Sequence, residues 1–195
     1  MKLLIATFNQ GKLNDYKTFC KNLKIEVVNL NDLQITAEFD EIFDTFEANA
    51  KAKAEFYSKL SGLPTLADDS GIEIPFYNME PGVKTKRWAG NTVTDQEYFD
   101  FIVKKISDIP KHLRQGQMRA VLALCINGQT YLSEGTIKGI FTEQKYNKST
   151  TSGYPWDLVF ILDENGKYYE ELTEQENIEL NHRKIAFDKL TKYLQ

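Results

Sequence analysis

Short, uninterrupted apolar runs are the feature of this sequence that most restricts its fold. Leu3 to Thr7 is such a run, and a loop containing Gly11 separates it from apolar residues at helical spacing between Leu13 and Leu23. A run without polar alternation is typical of a strand that is buried on both faces of a sheet. The order strand, loop, helix therefore predicts an α/β protein.

The rest of the chain continues this alternation. Asp44 and Glu47 have the spacing of a capping box for a helix over 46–60, and Thr94 with Glu97 has the same spacing for a helix that continues to about Ile106. Predicted strands cover 25–30, 65–67, 72–74, 121–126, 130–141 and 158–162, and a last helix carries Ile185, Ala186, Leu190 and Leu194. An Asn-Gly pair at 127–128, between two apolar runs, predicts a β-hairpin.

Length and charge exclude several classes of protein. A chain of 195 residues fits one domain with a single core. The 24 basic and 28 acidic residues give a net charge of −4 without a basic block, so nucleic acid is not an expected partner. No segment approaches the roughly 20 apolar residues that cross a bilayer, and the apolar start is too short for a signal peptide. Cys20 and Cys125 lack metal-ligand spacing, so we expect both to be free thiols in a reducing compartment. Together with the absence of a long apolar segment, this predicts a cytoplasmic protein that does not bind a membrane.

Common catalytic motifs are missing from the sequence. It contains no GxxxxGK[ST], GxGxxG, GxSxG or HExxH pattern, and it has only two histidines. The chemistry must therefore use carboxylates, lysines and loops.

The first candidate is the segment Thr7-Phe8-Asn9-Gln10-Gly11-Lys12, between a buried strand and a helix. Free backbone N–H groups at a helix N-terminus favour an anion, and Lys12 adds a positive charge. An ordinary strand-to-helix turn with an exposed lysine is the alternative.

The second candidate is Asp68-Asp69-Ser70-Gly71, after the strand predicted at 65–67. Ligands of open α/β sheets bind at this end of strands, and Mg²⁺ with phosphate relieves repulsion between adjacent carboxylates. A plain Asp-Ser-Gly turn explains the same residues without function.

Four further candidates complete the set. The acidic segment 38–41 with Asp44 offers metal ligands or a solvated loop, and Lys53 on the next helix faces either phosphate or solvent. Arg183, in the segment Asn181-His182-Arg183 at a helix start, needs an offsetting anion or a neighbouring glutamate. The segment Tyr154-Pro155-Trp156-Asp157 stacks on a base or covers the core.

Taken in order, these segments resemble the inosine/xanthosine triphosphate pyrophosphatase family over nearly the whole chain. Thr7 to Lys12 resembles T-G-N-x-x-K, 45–50 with Lys53 resembles T-F-x-E-N-A and its lysine, 67–73 resembles A-D-D-S-G-L-E, 81–90 resembles P-G-V-x-S-A-R-Y-A-G, Gly153-Tyr154 resembles part of F-G-Y-D-P, and 181–183 resembles S-H-R. The chain departs from the family pattern at Phe8, Ala48, Ser152 and Asn177.

The resemblance implies an elongated mixed β-sheet that forks into two lobes around a central nucleotide cleft, with helices on both faces. It implies a single domain over 1–195, a homodimer, and Mg²⁺-dependent hydrolysis of ITP, dITP or XTP to a monophosphate and pyrophosphate. A nucleotide-binding protein without catalysis, and a related pyrophosphatase for pyrimidine or modified nucleotides, stay open as alternatives.

The resemblance also implies a role for individual residues. Glu41 and Asp69 act through Mg²⁺, Asp69 activates water, and Asp68 is a second catalytic carboxylate. Residues expected to bind the substrate are Thr7, Asn9, Lys12, Lys53, Ser70, Arg87, Tyr154, Asp157, His182 and Arg183. Tyr154 stacks on the base, and His182 with Arg183 recognises its 6-keto oxygen. Trp156 is a further hypothesis for a stacking face, in place of the family's aromatic residue at Ser152.

Overall fold

The computed structural model describes residues 1–90, 92–147 and 154–194, so Ser152 and Gly153 lie outside the described residues. The helices are α1 (Gln10–Cys20), α2 (Phe46–Ser61), α3 (Asp95–Ser107), α4 (Glu174–Leu180) and α5 (His182–Leu190). The strands are β1 (Lys2–Ile5), β2 (Glu26–Asn29), β3 (Thr65–Ile74), β4 (Glu80–Gly82), β5 (Gln115–Ile126), β6 (Gln129–Phe141) and β7 (Phe160–Leu162). In the described ranges, no helix has the length and apolarity that crossing a membrane requires.

The strands form one mixed sheet in the order β2-β1-β3-β5-β6-β7, with β4 paired to β3. β1 is parallel to both β2 and β3, whereas β4 on β3 and β7 on β6 are antiparallel. Parallel strands connected through helices at the start of the chain, followed by a hairpin, confirm the predicted mixed α/β class.

The chain divides into two compact units. The first unit contains 1–70, 119–136 and 181–195. Its core packs side chains of β1, α1, β5 and α5 together, among them Leu3, Phe19, Leu122 and Phe187. Helix α5 lies so close to β6 that a Cβ at Gly135 would be only 2.0 Å from the carbonyl oxygen of His182. The first turn of α5 can therefore lie at this place only because residue 135 is a glycine.

The second unit contains 71–118 and 137–180. Its core includes the buried face of α3 and the side chains of Phe141, Trp156 and Phe160, and the Phe141 ring contacts the other two rings. The hydroxyl of Tyr98 on α3 accepts a hydrogen bond from the indole N–H of Trp156 at 3.1 Å. By volume, Phe141, Trp156 and Phe160 are the largest fully buried side chains among the described residues of this unit.

Most predicted helix and turn signals are confirmed. Thr94 and Glu97 form the complete capping box of α3, and Asn127-Gly128 forms the hairpin turn with positive φ angles of 52° and 75°. The N-cap of α2 differs by one residue, because the hydroxyl of Thr45 rather than Asp44 accepts from the backbone N–H of Ala48 at 3.2 Å. A β-region backbone at Thr45 brings its hydroxyl over the free N–H groups of the first turn.

The largest difference from the sequence prediction concerns β3. The prediction ends a strand at Ala67 and begins another at Ile72, but the structure has one strand from Thr65 to Ile74. Pairing of its second half with β4, and a hydrogen bond from the Ile72 backbone N–H to the Thr85 hydroxyl at 2.9 Å, keep the backbone extended. Asp68 and Asp69 therefore lie inside a strand and not in a turn.

Candidate active site

The segment that precedes α1 places Lys12 at the helix N-terminus. The Thr7 hydroxyl accepts from the backbone N–H of Asn9 at 3.1 Å, and the Asn9 side-chain oxygen accepts from the backbone N–H of Lys12 at 3.1 Å. Asn9 therefore caps α1 and orders the loop that was predicted to bind phosphate. The Lys12 side chain is only 19% exposed, so the alternative of an exposed lysine is wrong.

Asp68 is buried and accepts hydrogen bonds from three side chains. Lys12 donates to Oδ1, while the Tyr16 hydroxyl at 2.8 Å and Arg183 Nε at 3.1 Å donate to Oδ2. The remaining guanidinium nitrogens of Arg183 reach the Ser70 hydroxyl at 3.1 Å and the Asp15 carboxylate at 3.5 Å. Asp68 thus joins α1, β3 and α5 through one carboxylate.

Opposing effects act on the charge of Asp68. Burial tends to raise the pKa of Asp68, but the positive charges of Lys12, Arg183 and Lys53 outweigh burial and lower it. Asp68 is therefore an ionised anchor for cations. A carboxylate whose pKa is lowered in this way is a weak base, so this arrangement argues against the catalytic role predicted for Asp68.

Asp69 lies in a different environment, because adjacent side chains of a strand point to opposite faces. Its Oδ2 accepts from the Asn49 side-chain amide of α2 at 2.9 Å. The amide of Asn49 is held in turn by the backbone of Phe43, to which it both donates and accepts. Burial, followed by the negative charge of Glu41, raises the pKa of Asp69 to about 6.

Lys53 and Glu41 form an ion pair beside Asp69. Lys53 of α2 donates to Glu41 Oε1, and the Glu41 side chain is 33% exposed, so neither residue is simply solvated. Burial tends to lower the pKa of Lys53, but the carboxylates of Glu41 and Asp68 outweigh burial and raise it. Lys53 therefore keeps its charge in a mostly buried position.

The N-terminus of α5 is capped by Asn181, whose side-chain oxygen accepts from the backbone N–H of Arg183 at 2.8 Å. Carboxylates of Asp68 and Asp15 offset the positive charge of Arg183 at this helix end. His182 is 4% exposed. Burial, with the positive charge of Arg183, lowers the pKa of His182 well below its usual value. His182 is thus neutral at physiological pH.

The other four predicted residues belong to the second unit. Arg87 is exposed at the end of a short 3-10 helix, and Tyr154 is half-buried just before the 3-10 helix Pro155–Leu158, which contains Asp157. Trp156 is completely buried against Trp88 and Phe141. A ring without an exposed face cannot stack on a base, which contradicts the stacking role of Trp156 and favours its alternative as a core residue.

Three side chains of the site were not selected from the sequence: Asp15, Tyr16 and Asn49. Tyr16 was counted as an apolar position of α1, although it follows Lys12 by four residues and so shares its helix face. Asn49 appeared only within a longer motif. No local signal marks either contact, because both depend on where β3 lies in the sheet.

Among the described residues, no group of three or more histidine, cysteine, aspartate or glutamate side chains is arranged to hold a metal ion. Glu41 and Asp69 nevertheless offer carboxylate oxygens, the ligand type that Mg²⁺ takes in ones and twos when phosphate completes its coordination. Glu41 also raises the Asp69 pKa by repulsion, and a cation between two such carboxylates removes that repulsion. The donor set therefore fits Mg²⁺ bound together with phosphate.

The two adjacent aspartates should give opposite pH effects on stability. Folding raises the Asp69 pKa from 3.8 to about 6, so its ionisation costs stability as the pH rises through this interval. Asp69→Asn should remove a cost of on the order of 3 kcal/mol at pH 8 that is absent at pH 4. Folding lowers the Asp68 pKa below 3.8, so Asp68→Asn should lower the free energy of unfolding by nearly the same amount at pH 8 and at pH 4, and this cost should shrink only below about pH 3.8.

Urea unfolding of both variants and the wild type at pH 4, 6 and 8, without divalent cations, tests this difference. Each aspartate serves as the matched control for its neighbour. Parallel pH dependence of the two variants would contradict the assignment of Asp68 as anchor and Asp69 as the group of raised pKa.

Comparison with known proteins places this chain in a family. The family model described as "Ham1 family" matches residues 3–193. The chain is 34% identical over 194 residues to a dITP/XTP pyrophosphatase of Bacillus licheniformis, covering 99% of this chain and 97% of that protein. It is 33% identical over 193 residues to a dITP/XTP pyrophosphatase of Bacillus subtilis, covering 98% and 96%.

Solved structures agree with these sequence matches. A HAM1 protein from Coxiella burnetii has a TM-score of 0.86 and 27% identity over 100% of this chain and 98% of that one. The Staphylococcus aureus Ham1 protein has a TM-score of 0.84 and 27% identity with the same coverage. A family match over nearly every residue, together with relatives above 30% identity over their whole length, leads to one assignment: this chain belongs to the Ham1 family.

Proposed function

We propose that this protein is a Mg²⁺-dependent nucleoside triphosphate pyrophosphatase that acts on ITP, dITP and XTP. The observation that carries the proposal is Asp69, a buried carboxylate held by Asn49 whose pKa is raised to about 6. A general base works best when its pKa is close to the working pH. Relatives that are dITP/XTP pyrophosphatases support the same reaction class.

The proposed reaction is attack of water on the α-phosphorus. Asp69 accepts a proton from the attacking water as its oxygen bonds to the α-phosphorus, and the bond to the α,β-bridging oxygen breaks. Pyrophosphate then leaves with the negative charge, and a nucleoside monophosphate remains. Lys12 and Lys53 stabilise the phosphate charge in this scheme, and the Asn9-capped N-terminus of α1 adds backbone N–H donors.

Charge balance supports a divalent cation. The first unit places Lys12, Lys53 and Arg183 among four carboxylates, those of Asp15, Asp68, Asp69 and Glu41. Three cations against four carboxylates leave no excess positive charge for a triphosphate. When bound, Mg²⁺ supplies the missing positive charge and polarises phosphate oxygens. Glu41 and Asp69 would hold it.

Recognition of the base is assigned to α5. A 6-keto oxygen accepts hydrogen bonds, whereas the amino group of adenine donates them, so Arg183 and the N–H of neutral His182 match inosine and xanthine. Tyr154 stays our proposal for stacking on the base, and Arg87, Ser70 and Asp157 stay proposed substrate contacts. A homodimer, a cytoplasmic location and a single two-lobed domain also stay predictions.

The direct test is product analysis with Mg²⁺. Purified protein should convert ITP, dITP or XTP to monophosphate and pyrophosphate, and kcat/KM should rise with pH as Asp69 loses its proton. Asp69→Asn should abolish turnover, because it removes the base and one metal ligand with little change in volume. Orthophosphate as the sole product, or near-normal turnover by folded Asp69→Asn, would contradict the proposal.

Lys12 and Lys53 should act on the phosphates and not on the nucleoside. Lys12→Ala and Lys53→Ala should each weaken ITP binding about tenfold or more, as expected for loss of a charge-assisted contact of roughly 1.5–3 kcal/mol. Inosine binding should change little. Lys51→Ala is the matched control, since Lys51 is an exposed lysine of the same helix. Calorimetric titration measures the affinity of each variant for ITP and for inosine. Equal losses of affinity for the two ligands would show that these lysines do not act on the phosphates.

Arg183 should control the choice of base. A buried donor that adenine leaves unpaired costs about 1–3 kcal/mol, so the wild type should prefer ITP to ATP about tenfold or more in kcat/KM. Arg183→Ala should narrow this ratio. Both substrates are measured on the same preparation, so the ratio does not depend on how much of the variant is folded. An unchanged ratio would remove Arg183 from base recognition.

A further inference from the structure

A buried hydroxyl contacts the carboxylate at the centre of the site. Tyr16 is 1% exposed, and its hydroxyl donates to Asp68 Oδ2 at 2.8 Å. A phenylalanine would pack the same ring, so the hydroxyl is not needed to fill space. A buried tyrosine hydroxyl next to an ionised carboxylate is instead a charge-assisted hydrogen bond. The reaction proposed above gives this bond no role.

The three donors to Asp68 differ in charge. Lys12 and Arg183 are cations that the proposed function assigns to the phosphates and to the base. Of the side chains that donate to Asp68 within 1–90, 92–147 and 154–194, Tyr16 alone is uncharged. When a substrate takes the two cations, Tyr16 is the donor that remains.

The donors also differ in freedom to move. The Tyr16 ring packs edge-on against Phe19 of its own helix at 5.7 Å between centroids, and against Phe187 of α5 at 6.1 Å. Lys12 and Arg183 have long side chains that are 19% and 16% exposed. The core therefore fixes the hydroxyl, whereas the two cations can change partner by rotation.

We propose that Tyr16 is a positioning residue that holds the Asp68 carboxylate while Lys12 and Arg183 transfer to the nucleoside triphosphate. The proposal rests on the proposed function, because that function makes both cations substrate contacts. A buried carboxylate is costly without partners. A hydrogen bond to it strengthens once neighbouring cations no longer offset its charge. Tyr16 thus lowers the cost of releasing both cations to the substrate.

Tyr16→Phe tests this role, because it removes the hydroxyl and keeps the ring. Cation release precedes chemistry, so its cost falls on the bound complex and the transition state alike and appears in KM. We expect KM for ITP to rise roughly five- to tenfold, with kcat within about twofold of the wild type. Tyr77→Phe is the matched control, because its hydroxyl donates to the Lys105 carbonyl at 2.8 Å in the second unit. Its KM should not change.

A double-mutant cycle separates action through Asp68 from a general loss of packing. In an Asp68→Asn background, Tyr16→Phe should have no further effect on KM or on the affinity for tripolyphosphate. The same loss in both backgrounds would overturn the proposal. So would an unchanged KM in folded Tyr16→Phe.

Calorimetric titration with tripolyphosphate and Mg²⁺ distinguishes this proposal from the proposed function. Tyr16→Phe should weaken tripolyphosphate binding, by less than it raises KM for ITP because tripolyphosphate takes Lys12 but not Arg183 from Asp68, and Tyr77→Phe should not weaken it. If the wild type binds tripolyphosphate but does not release pyrophosphate from ITP, the proposed function fails and this titration alone decides the role of Tyr16. Absence of tripolyphosphate binding by the wild type would overturn both.

Discussion

The alternation of side chains along β3 is the constraint on which the candidate site depends. Asp68 and Asp69 are neighbours in sequence, yet one contacts α1 and α5 and the other contacts α2. Because the strand continues through both residues, their carboxylates point to opposite faces. Neither carboxylate then needs a shared proton or cation to relieve repulsion from the other. On opposite faces the two pKa values shift in opposite directions: that of Asp68 is lowered and that of Asp69 is raised. The raised pKa of Asp69 lies near the pH at which a general base can act. A slip of one residue in β3 would exchange the two environments.

Positions of the helices follow from the same strand. Tyr16 is both a core residue of α1 and a donor to Asp68. Packing of the apolar face of α1 therefore also positions the Tyr16 hydroxyl at the Asp68 carboxylate. Helix α5 reaches the site because Gly135 lets its first turn lie against β6. The hydrophobic core of the first unit and its polar cluster are therefore built by the same elements. A change in the packing of α1 or α5 would move the side chains that donate hydrogen bonds to Asp68.

Local signals predicted the elements well and their contacts poorly. Periodicity and caps identified α2, α3 and the hairpin at Asn127-Gly128, because each signal acts within a few residues. The sequence predicts that a strand ends at Ala67, with an Asp-Ser-Gly turn as the local alternative after it, but pairing with β4 and burial on both sides of these residues outweigh that local preference. Helix α4 buries no residue and has no apolar period from which to predict it. Site residues emerged mainly from the family resemblance, whereas the burial of Trp156 and the neutrality of His182 depend on tertiary packing.

Ion pairs within the first unit bear on how a nucleotide enters the site that we propose. Lys12 pairs with Asp68 and Lys53 pairs with Glu41, so both lysines that we propose for the phosphates already have carboxylate partners. A triphosphate must exchange these partners rather than meet free cations, and each exchange leaves a carboxylate behind. Glu41 is positioned to take a divalent cation that arrives with the phosphates, and Asp68 keeps the Tyr16 hydroxyl. Both carboxylates are then compensated, and the exchange avoids the cost of an isolated buried charge.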